Sequence, residues 1–305
     1  MRIAFFGDGA WAAESLLRLQ KAGHEIVSVV LRLRQTDQTL ERTANEQGLK
    51  TYRPRRVNNS GFVQLVKGWS TDLNLSVSYD QVLKKPMLDL AKRGFVNFHA
   101  GKLPDYRGRN VINWAIINGE EEIGLTAHYV DEGIDTGDII LQHTIPVGWT
   151  ETYGEVLDRV VTGFPDLVCE TVDMIDADRV IPVSQSFEMG TYYCRRVEGD
   201  EWLDWSESSR NLHNKVRAIT HPGPGARATA GGHEIVIWRA FYDPAWPNYR
   251  AVPGEVVGKS PRGGVVVKTG DSVISVQEAE EDARGCFSPN WPIGFRFDLG
   301  VPSVG

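Results

Sequence analysis

The chain is short of cysteine, has no excess of positive charge and contains no long apolar run. Cys169, Cys194 and Cys286 are its three cysteines in 305 residues, far apart and without a C-x-x-C pair or a histidine cluster beside them. Such usage argues against a disulfide scaffold and offers no zinc-site spacing, so no metal is expected. Basic residues are outnumbered, 33 Lys and Arg against 40 Asp and Glu, for a net charge of -7. A protein that binds nucleic acid mainly by neutralising phosphates needs the opposite balance. No apolar run approaches the ~20 residues that cross a bilayer. The segment Met1-Arg2-Ile3-Ala4-Phe5-Phe6-Gly7 enters a strand at once, without the apolar core or cleavage site of a signal peptide. A cytoplasmic protein that handles a small molecule is the expectation. With 41% hydrophobic and 24% charged residues the composition is that of an ordinary globular protein, and its length favours two domains of about 150 residues.

The first 180 residues alternate strand and helix. Arg2 to Phe6, Ile26 to Leu31, Leu73 to Ser78, Phe95 to Phe98, Leu125 to Val130 and Asp138 to Pro146 read as strands. Helices are expected over about 11–22, 38–47, 87–92, 111–118 and 152–175, several closed by glycine. Continuous β-branched runs such as Ile-Val-Ser-Val-Val-Leu at 26–31 belong in a parallel sheet covered on both faces. The order predicts an α/β, Rossmann-like, mainly parallel sheet. From Glu201 the pattern changes. A helix is expected from Trp205 to Ile219 with Ser206 as N-cap, then short strands at 234–238, 254–257, 264–268 and 272–277 between Gly/Pro turns. That suggests a small β-barrel-like domain, so the division expected is 1–200 and 201–305. The aromatic, Gly/Pro-rich tail after Arg284 can pack as coil or remain partly mobile.

Gly7-Asp8-Gly9-Ala10-Trp11-Ala12 fits a dinucleotide fingerprint after the first strand. However, Trp11 is bulky beside the turn, and the second strand ends Leu31-Arg32-Leu33-Arg34 with no ribose-binding acid. A tight strand-to-helix turn is the favoured reading; arginines facing the extra phosphate of NADP remain the alternative.

Chemistry concentrates between Asn97 and Asp138. Asn97 and His99 are two apart at a strand's carboxyl end and point to one side. In open α/β sheets ligands bind at that edge. The glycine-containing loop at Asp135 follows a later strand and can return an acid to it. An amide donor, an imidazole and a carboxylate there suit acyl transfer to an amine: the amide stabilises an oxyanion, the imidazole exchanges protons, and the carboxylate supports the imidazolium.

Asn97-x-His99, Leu103-Pro104-x-Tyr106-Arg107-Gly108, Asn113-Trp114-Ala115, Asn118-Gly119 and Asp131-Glu132-Gly133-Ile134-Asp135-Thr136-Gly137 together resemble the signature of the formyltransferases that use 10-formyltetrahydrofolate. Leu203-Asp204-Trp205-Ser206, His213-Asn214-x-x-Arg217-Ala218 and His221-Pro222-x-Pro224-Gly225-Ala226 resemble the C-terminal domain of the methionyl-tRNA branch, and also the enzymes that formylate UDP-4-amino-4-deoxy-arabinose. The resemblance implies a C-terminal OB-like domain, Asn97, His99 and Asp135 as the catalytic residues, and no metal. It places the folate donor against Tyr79, Gln81, Val82 and Leu83, with Asp138 near the same ring. Substrate contacts fall to Arg107, Arg109 and Asn110, with Arg107 read equally as a phosphate binder or a tie within its loop. Two departures from the arabinose enzymes, Gly101-Lys102 in place of Ser-Leu and Asn110 in place of a small residue, are expected to alter the sugar pocket.

Three functions follow from the resemblance: formylation of a nucleotide-linked amino sugar, formylation of methionyl-tRNA, and folate binding without catalysis. The intact Asn97, His99 and Asp135 speak against the last. Residues 201–305 hold 11 Lys and Arg against 12 Asp and Glu, a net charge of -1, whereas a tRNA-gripping domain should be basic. The amino-sugar acceptor is therefore preferred, with no stable nucleic-acid or membrane partner. A homodimer through the second domain is an added expectation.

Overall fold

A computed structural model describes residues 1–35, 37–186, 190–282 and 284–299. The chain divides into two compact units. The first comprises Met1–Val111, Ile123–Ile145 and Asp158–Tyr193; the second comprises Ile112–Glu122, Pro146–Leu157 and Cys194–Gly305.

In chain order the first part runs β1 (Arg2–Gly7), α1 (Gly9–Lys21), β2 (Glu25–Leu31), α2 (Thr39–Glu46), β3 (Thr51–Tyr52), α3 (Ser60–Lys67), β4 (Leu73–Val77), α4 (Lys85–Leu88), β5 (Phe95–His99) and β6 (Arg107–Gly108). It continues with α5 (Val111–Asn118), β7 (Glu122–Tyr129), β8 (Ile139–Pro146), α6 (Tyr153–Asp176) and β9 (Tyr192–Tyr193). Seven strands form one sheet in the order β3-β2-β1-β4-β5-β7-β8. The pairs from β3 through β5 are parallel, and β7 returns antiparallel to β5. The expected α/β, mainly parallel sheet is therefore what the chain forms. All seven apolar positions of β1 and β4, Ile3, Ala4, Phe5, Phe6, Leu73, Leu75 and Val77, are shielded from solvent, as in a parallel sheet buried on both faces. Strand order reverses between β1 and β4, which opens the crevice at their carboxyl ends.

Several elements differ from the sequence expectation. The helix expected over 87–92 is one turn, Lys85–Leu88, started by Pro86. Strand β3 and helix α3 were not foreseen, although Asn59 caps α3 by accepting a hydrogen bond from Gly61 N at 3.0 Å. The tight-turn reading of Gly7-Asp8-Gly9 fits the local geometry. A Cβ on Gly7 would stand 2.8 Å from Val77 O, Gly9 has φ +84°, and the Trp11 indole donates back to Asp8 O at 2.9 Å.

The second unit continues with α7 (Ser209–Ile219), β10 (Ala226–Ala230), β11 (His233–Phe241), β12 (Val256–Lys259), β13 (Val265–Lys268), β14 (Val273–Glu281) and β15 (Gly285–Phe287). These strands form a six-stranded antiparallel sheet ordered β10-β11-β14-β13-β12, with β15 added to β14. Helix α7 starts later than expected. Ser208, not Ser206, caps it, accepting from Asn211 N. Ser206 is instead bound to Asp204 Oδ1 in a preceding turn, while Trp205 is buried against Phe297, ring centroids 4.7 Å apart. The tail up to residue 299 is thus tied into the unit: Phe297 N also donates to Gly254 O at 3.0 Å. Residues 300–305 lie outside the described residues.

The motif residues of α5 and α7 turn out to be ties within this unit. Asn113 Nδ2 donates to Ala218 O at 2.7 Å, and Arg217 donates to Gly148 O and Glu151 O at 3.1 and 3.0 Å. Burial pushes the Arg217 guanidinium down to about 10. A Cβ on Gly119 would stand 2.7 Å from Asn214 Nδ2, so the glycine of Asn118-Gly119 is set by close approach.

Candidate active site

The site lies within the first unit, where β5, β7 and two loops meet. Asn97 and His99 project from one side of β5, as their two-residue spacing requires. The antiparallel register sets Asn97 opposite His128 and His99 opposite Thr126. Thr126 Oγ1 donates to Gly101 O at 2.7 Å, and Gln142 Nε2 donates to Thr126 Oγ1 and Leu103 O at 2.8 and 3.0 Å. These bonds fix the chain leaving His99. Gly101 has no space for a side chain: a Cβ there would stand 2.4 Å from Tyr106 O and 2.5 Å from His99 Nε2.

The acid arrives on the loop after β7. Asp131 Oδ1 accepts from Gly133 N at 2.9 Å and from Thr136 Oγ1 at 2.6 Å, closing the turn. A Cβ on Gly137 would stand 1.8 Å from Tyr129 O, which accounts for the final glycine of the motif. Asp135 sits at φ +54°, a left-handed conformation unusual for a residue with a Cβ. Its Oδ2 accepts from Gly108 N at 2.9 Å and stands 3.7 Å from His99 Nδ1. Its Oδ1 is 3.4 Å from Asn97 Nδ2 and 3.5 Å from His128 Nε2. The three residues singled out in the sequence are thus brought together.

Hydrogen-bond partners determine where protons sit. His99 Nε2 lies 2.7 Å from the carbonyl of Tyr106, an acceptor only, so this nitrogen carries a hydrogen. Nδ1 is then the atom that gains and loses a proton, facing Asp135. By the same reasoning His128 Nδ1, 2.8 Å from Tyr129 O, is protonated. In the neutral ring its Nε2 accepts from Asn97 Nδ2 at 3.1 Å. Burial disfavours the charge on Asp135, but His99 and the Gly108 N–H, joined by His128 when its ring is protonated, outweigh it and hold the carboxyl well below the usual range. Asp135 is therefore an anion at neutral pH.

The other expected residues are distributed less evenly. Tyr79 packs edge-on against Phe6 at 5.5 Å and its phenol, pushed up by burial, accepts from Gln81 Nε2 at 3.2 Å. Gln81 also accepts from Val57 N and donates to Pro54 O, so its amide braces its own loop. Leu83 is buried and Val82 exposed. The carbonyl of Asp138 accepts from Tyr129 N at 2.9 Å. Arg109 and Asn110 are exposed, and Arg109 Nη2 donates to Asp80 O at 2.9 Å, joining its loop to the 79–83 loop. Arg107 points inward. It is fully buried, with Nε and Nη2 both donating to Gln185 Oε1 at 3.1 and 2.8 Å. Of its two readings, the tie within the loop is the one this geometry supports. Tyr193 stacks on Tyr106 with centroids 4.7 Å apart.

Two residues at the site were not found from the sequence, His128 and Gln185. His128 was visible only as an alternate position in a strand; its meaning needed the β5–β7 register. Gln185 is 50 residues from Asp135 and carries no local signal. Among the described residues no group of three or more His, Cys, Asp or Glu is placed to hold a metal, and no helix is long and apolar enough to cross a membrane.

An amide 3.4 Å and an imidazole 3.7 Å from one anionic carboxylate, at the carboxyl edge of an α/β sheet, make a set whose chemistry suits acyl-group transfer. The formyl transferase profile matches residues 1–172 and the formyl transferase C-terminal domain profile matches residues 197–289. The chain belongs to the formyl transferase family and is a formyltransferase. It is 33% identical over 288 residues to the methionyl-tRNA formyltransferase of Desulforamulus reducens, covering 92% of this chain and 90% of that protein. A second methionyl-tRNA formyltransferase, from Symbiobacterium thermophilum, is 33% identical over 294 residues, covering 93% and 89%. Among solved structures, the fold is similar to WlaRD, a sugar 3N-formyltransferase crystallised with dTDP and 5-N-formyl-THF, with TM-score 0.70 and 20% identity over 90% of this chain and 97% of that one. The N-formyltransferase from Helicobacter canadensis, in complex with folinic acid and dTDP-3-aminofucose, gives TM-score 0.67 and 18% identity over 90% and 98%.

Proposed function

We propose that this enzyme transfers the formyl group of 10-formyltetrahydrofolate to the primary amine of a nucleotide-linked amino sugar. The observation that carries the acceptor is charge. The second unit holds 13 Lys and Arg against 19 Asp and Glu, a net charge of -6, because Glu120, Glu121, Glu122, Glu151 and Glu155 belong to it. A unit of that sign repels a polyanion. A sugar nucleotide needs only a few local donors for its diphosphate, and exposed Arg109 is one. The methionyl-tRNA reading is the second, favoured by the 33% identity to proteins of that name over more than nine-tenths of the chain.

In the proposed reaction the acceptor nitrogen forms a bond to the formyl carbon and the bond from that carbon to N10 of the folate breaks. Asn97 donates an Nδ2 hydrogen to the formyl oxygen as it gains charge, exchanging the long 3.4 Å contact with Asp135 for that bond. His99 takes the amine proton at Nδ1 and returns it to the departing N10, while Asp135 stabilises the imidazolium. The loop at Tyr79, Gln81, Val82 and Leu83, with Asp138, is proposed to line the pterin site, mostly through its backbone since Gln81 and Leu83 are already engaged. The test is folate release with a panel of amino-sugar nucleotides and with methionyl-tRNA. Turnover is expected with a member of the first group; turnover with tRNA alone would overturn the acceptor. In the same assay His99→Ala should lose at least about 100-fold in kcat/KM, and near-normal activity would move proton handling elsewhere.

A further inference from the structure

We propose that Gln185 is a positioning residue for formyl transfer, holding the Asp135 loop against His99 through a hydrogen-bond relay to buried Arg107. The proposal rests on the reading of His99 and Asp135 as the catalytic pair. One amide serves both ends. Gln185 Nε2 donates to the carbonyls of Asp135 at 3.0 Å and Gly137 at 2.6 Å, and its Oε1 accepts both Arg107 bonds. No reversal of the amide satisfies these partners, since the carbonyls only accept and the guanidinium only donates. The orientation is thus fixed by chemistry.

Arg107 gives the relay its rigidity. Its side chain is fully buried, it lies 5.2 Å over the Tyr192 ring, and a Cβ on Gly190 would stand 2.4 Å from Nη1. Its backbone is paired in parallel with β9, and the next residue, Gly108, donates to Asp135 Oδ2. Asp135 is therefore gripped twice from one short segment: at its carboxylate by Gly108, and at its backbone by Arg107 acting through Gln185. The double grip holds Asp135 in a left-handed conformation that residues with a Cβ adopt uncommonly. A loosened loop would keep the fold and lose the 3.7 Å approach of carboxylate to imidazole.

Gln185→Met removes the donors without changing charge; Gln185→Glu removes them but keeps an acceptor for Arg107 and so guards against loss of fold. Both should lower kcat by about 10- to 100-fold with KM nearly unchanged, the scale expected when a reacting group is displaced by about 1 Å. The readout that a merely structural role would not move is the His99 ring titration, followed by NMR in the unliganded enzyme. Asp135 Oδ2 faces Nδ1 of that ring at 3.7 Å, and His128 stands 3.5 Å from the other carboxylate oxygen. Weaker support from Asp135 should shift the His99 titration to lower pH in Gln185→Met, in the same direction as in Asp135→Asn. If Asp135→Asn is inactive while both Gln185 variants keep the wild-type kcat and titration, the positioning role is wrong. If Asp135→Asn itself retains full activity, the underlying reading of the pair is wrong instead. Should Gln185→Met fail to fold, the kcat-against-KM split of Gln185→Glu decides.

Discussion

Replacing Gly108 by alanine tests how the Asp135 carboxylate is held. Gly108 has φ +101°, its N–H donates to Asp135 Oδ2 at 2.9 Å, and an added Cβ would stand 2.2 Å from the carbonyl oxygen of Tyr193. Two penalties combine. The left-handed backbone costs about 1–2 kcal/mol for a residue with a Cβ. The overlap with a backbone atom, which cannot turn aside, adds about 1–3 kcal/mol as β6 and β9 are forced apart. Gly199 separates the two, since it has φ +106° and nothing within 4 Å of its Cβ position. Urea unfolding should show Gly199→Ala losing about 1–2 kcal/mol and Gly108→Ala about 2–5 kcal/mol. Displacing the amide from a carboxylate removes a charge-assisted bond of about 1.5–3 kcal/mol, so kcat should fall about 10- to 150-fold in Gly108→Ala only. Equal stability of the two variants, with full activity in both, would refute the assignment of Gly108 as the clamp on Asp135.

Two further outcomes follow from the site. His128→Leu removes one of the two acceptors of Asn97 Nδ2 and a neighbour of Asp135, at about 1–3 kcal/mol, so steady-state kcat should drop about 5- to 160-fold. His128→Gln, which restores an acceptor, should recover part of it; an unimpaired leucine variant would show that Asn97 orients itself. Because the folded-state pKa of Asp135 is depressed, its ionisation contributes stability that is complete above the unfolded carboxylate value of about 4 and is lost as pH falls towards the folded value. The stability advantage of wild type over Asp135→Asn, read by urea unfolding, should therefore be larger at pH 7 than at pH 3. An advantage that grows towards acid would mean the carboxyl is not held as an anion.

The proposed catalytic trio was legible because each member lies in a run whose spacing carries its own meaning: Asn97 and His99 two apart on a strand, and Asp135 within a glycine-bounded turn. The β-branched runs likewise announced the parallel sheet, since burial on both faces removes the polar alternation. Short elements escaped. Strand β3 has two residues and α4 one turn, lengths at which tertiary contacts outweigh any local pattern. Helix α7 was started two residues early at its cap, at Ser206 rather than Ser208, because serine at 206 or 208 looks alike until Trp205 is seen to be buried.

Local sequence alone determined the chemistry on offer: an amide, an imidazole, a carboxylate, and a net charge of -7. Only tertiary structure decided how they are deployed. Strand register set His128 opposite Asn97, and a contact spanning 50 residues put Gln185 behind Asp135. It also turned Arg107 inward onto Gln185, and gave the second unit a charge of -6 where a cut at residue 201 had left -1. Residue type and short-range spacing are properties of the chain, whereas which groups desolvate one another depends on the contacts made on folding.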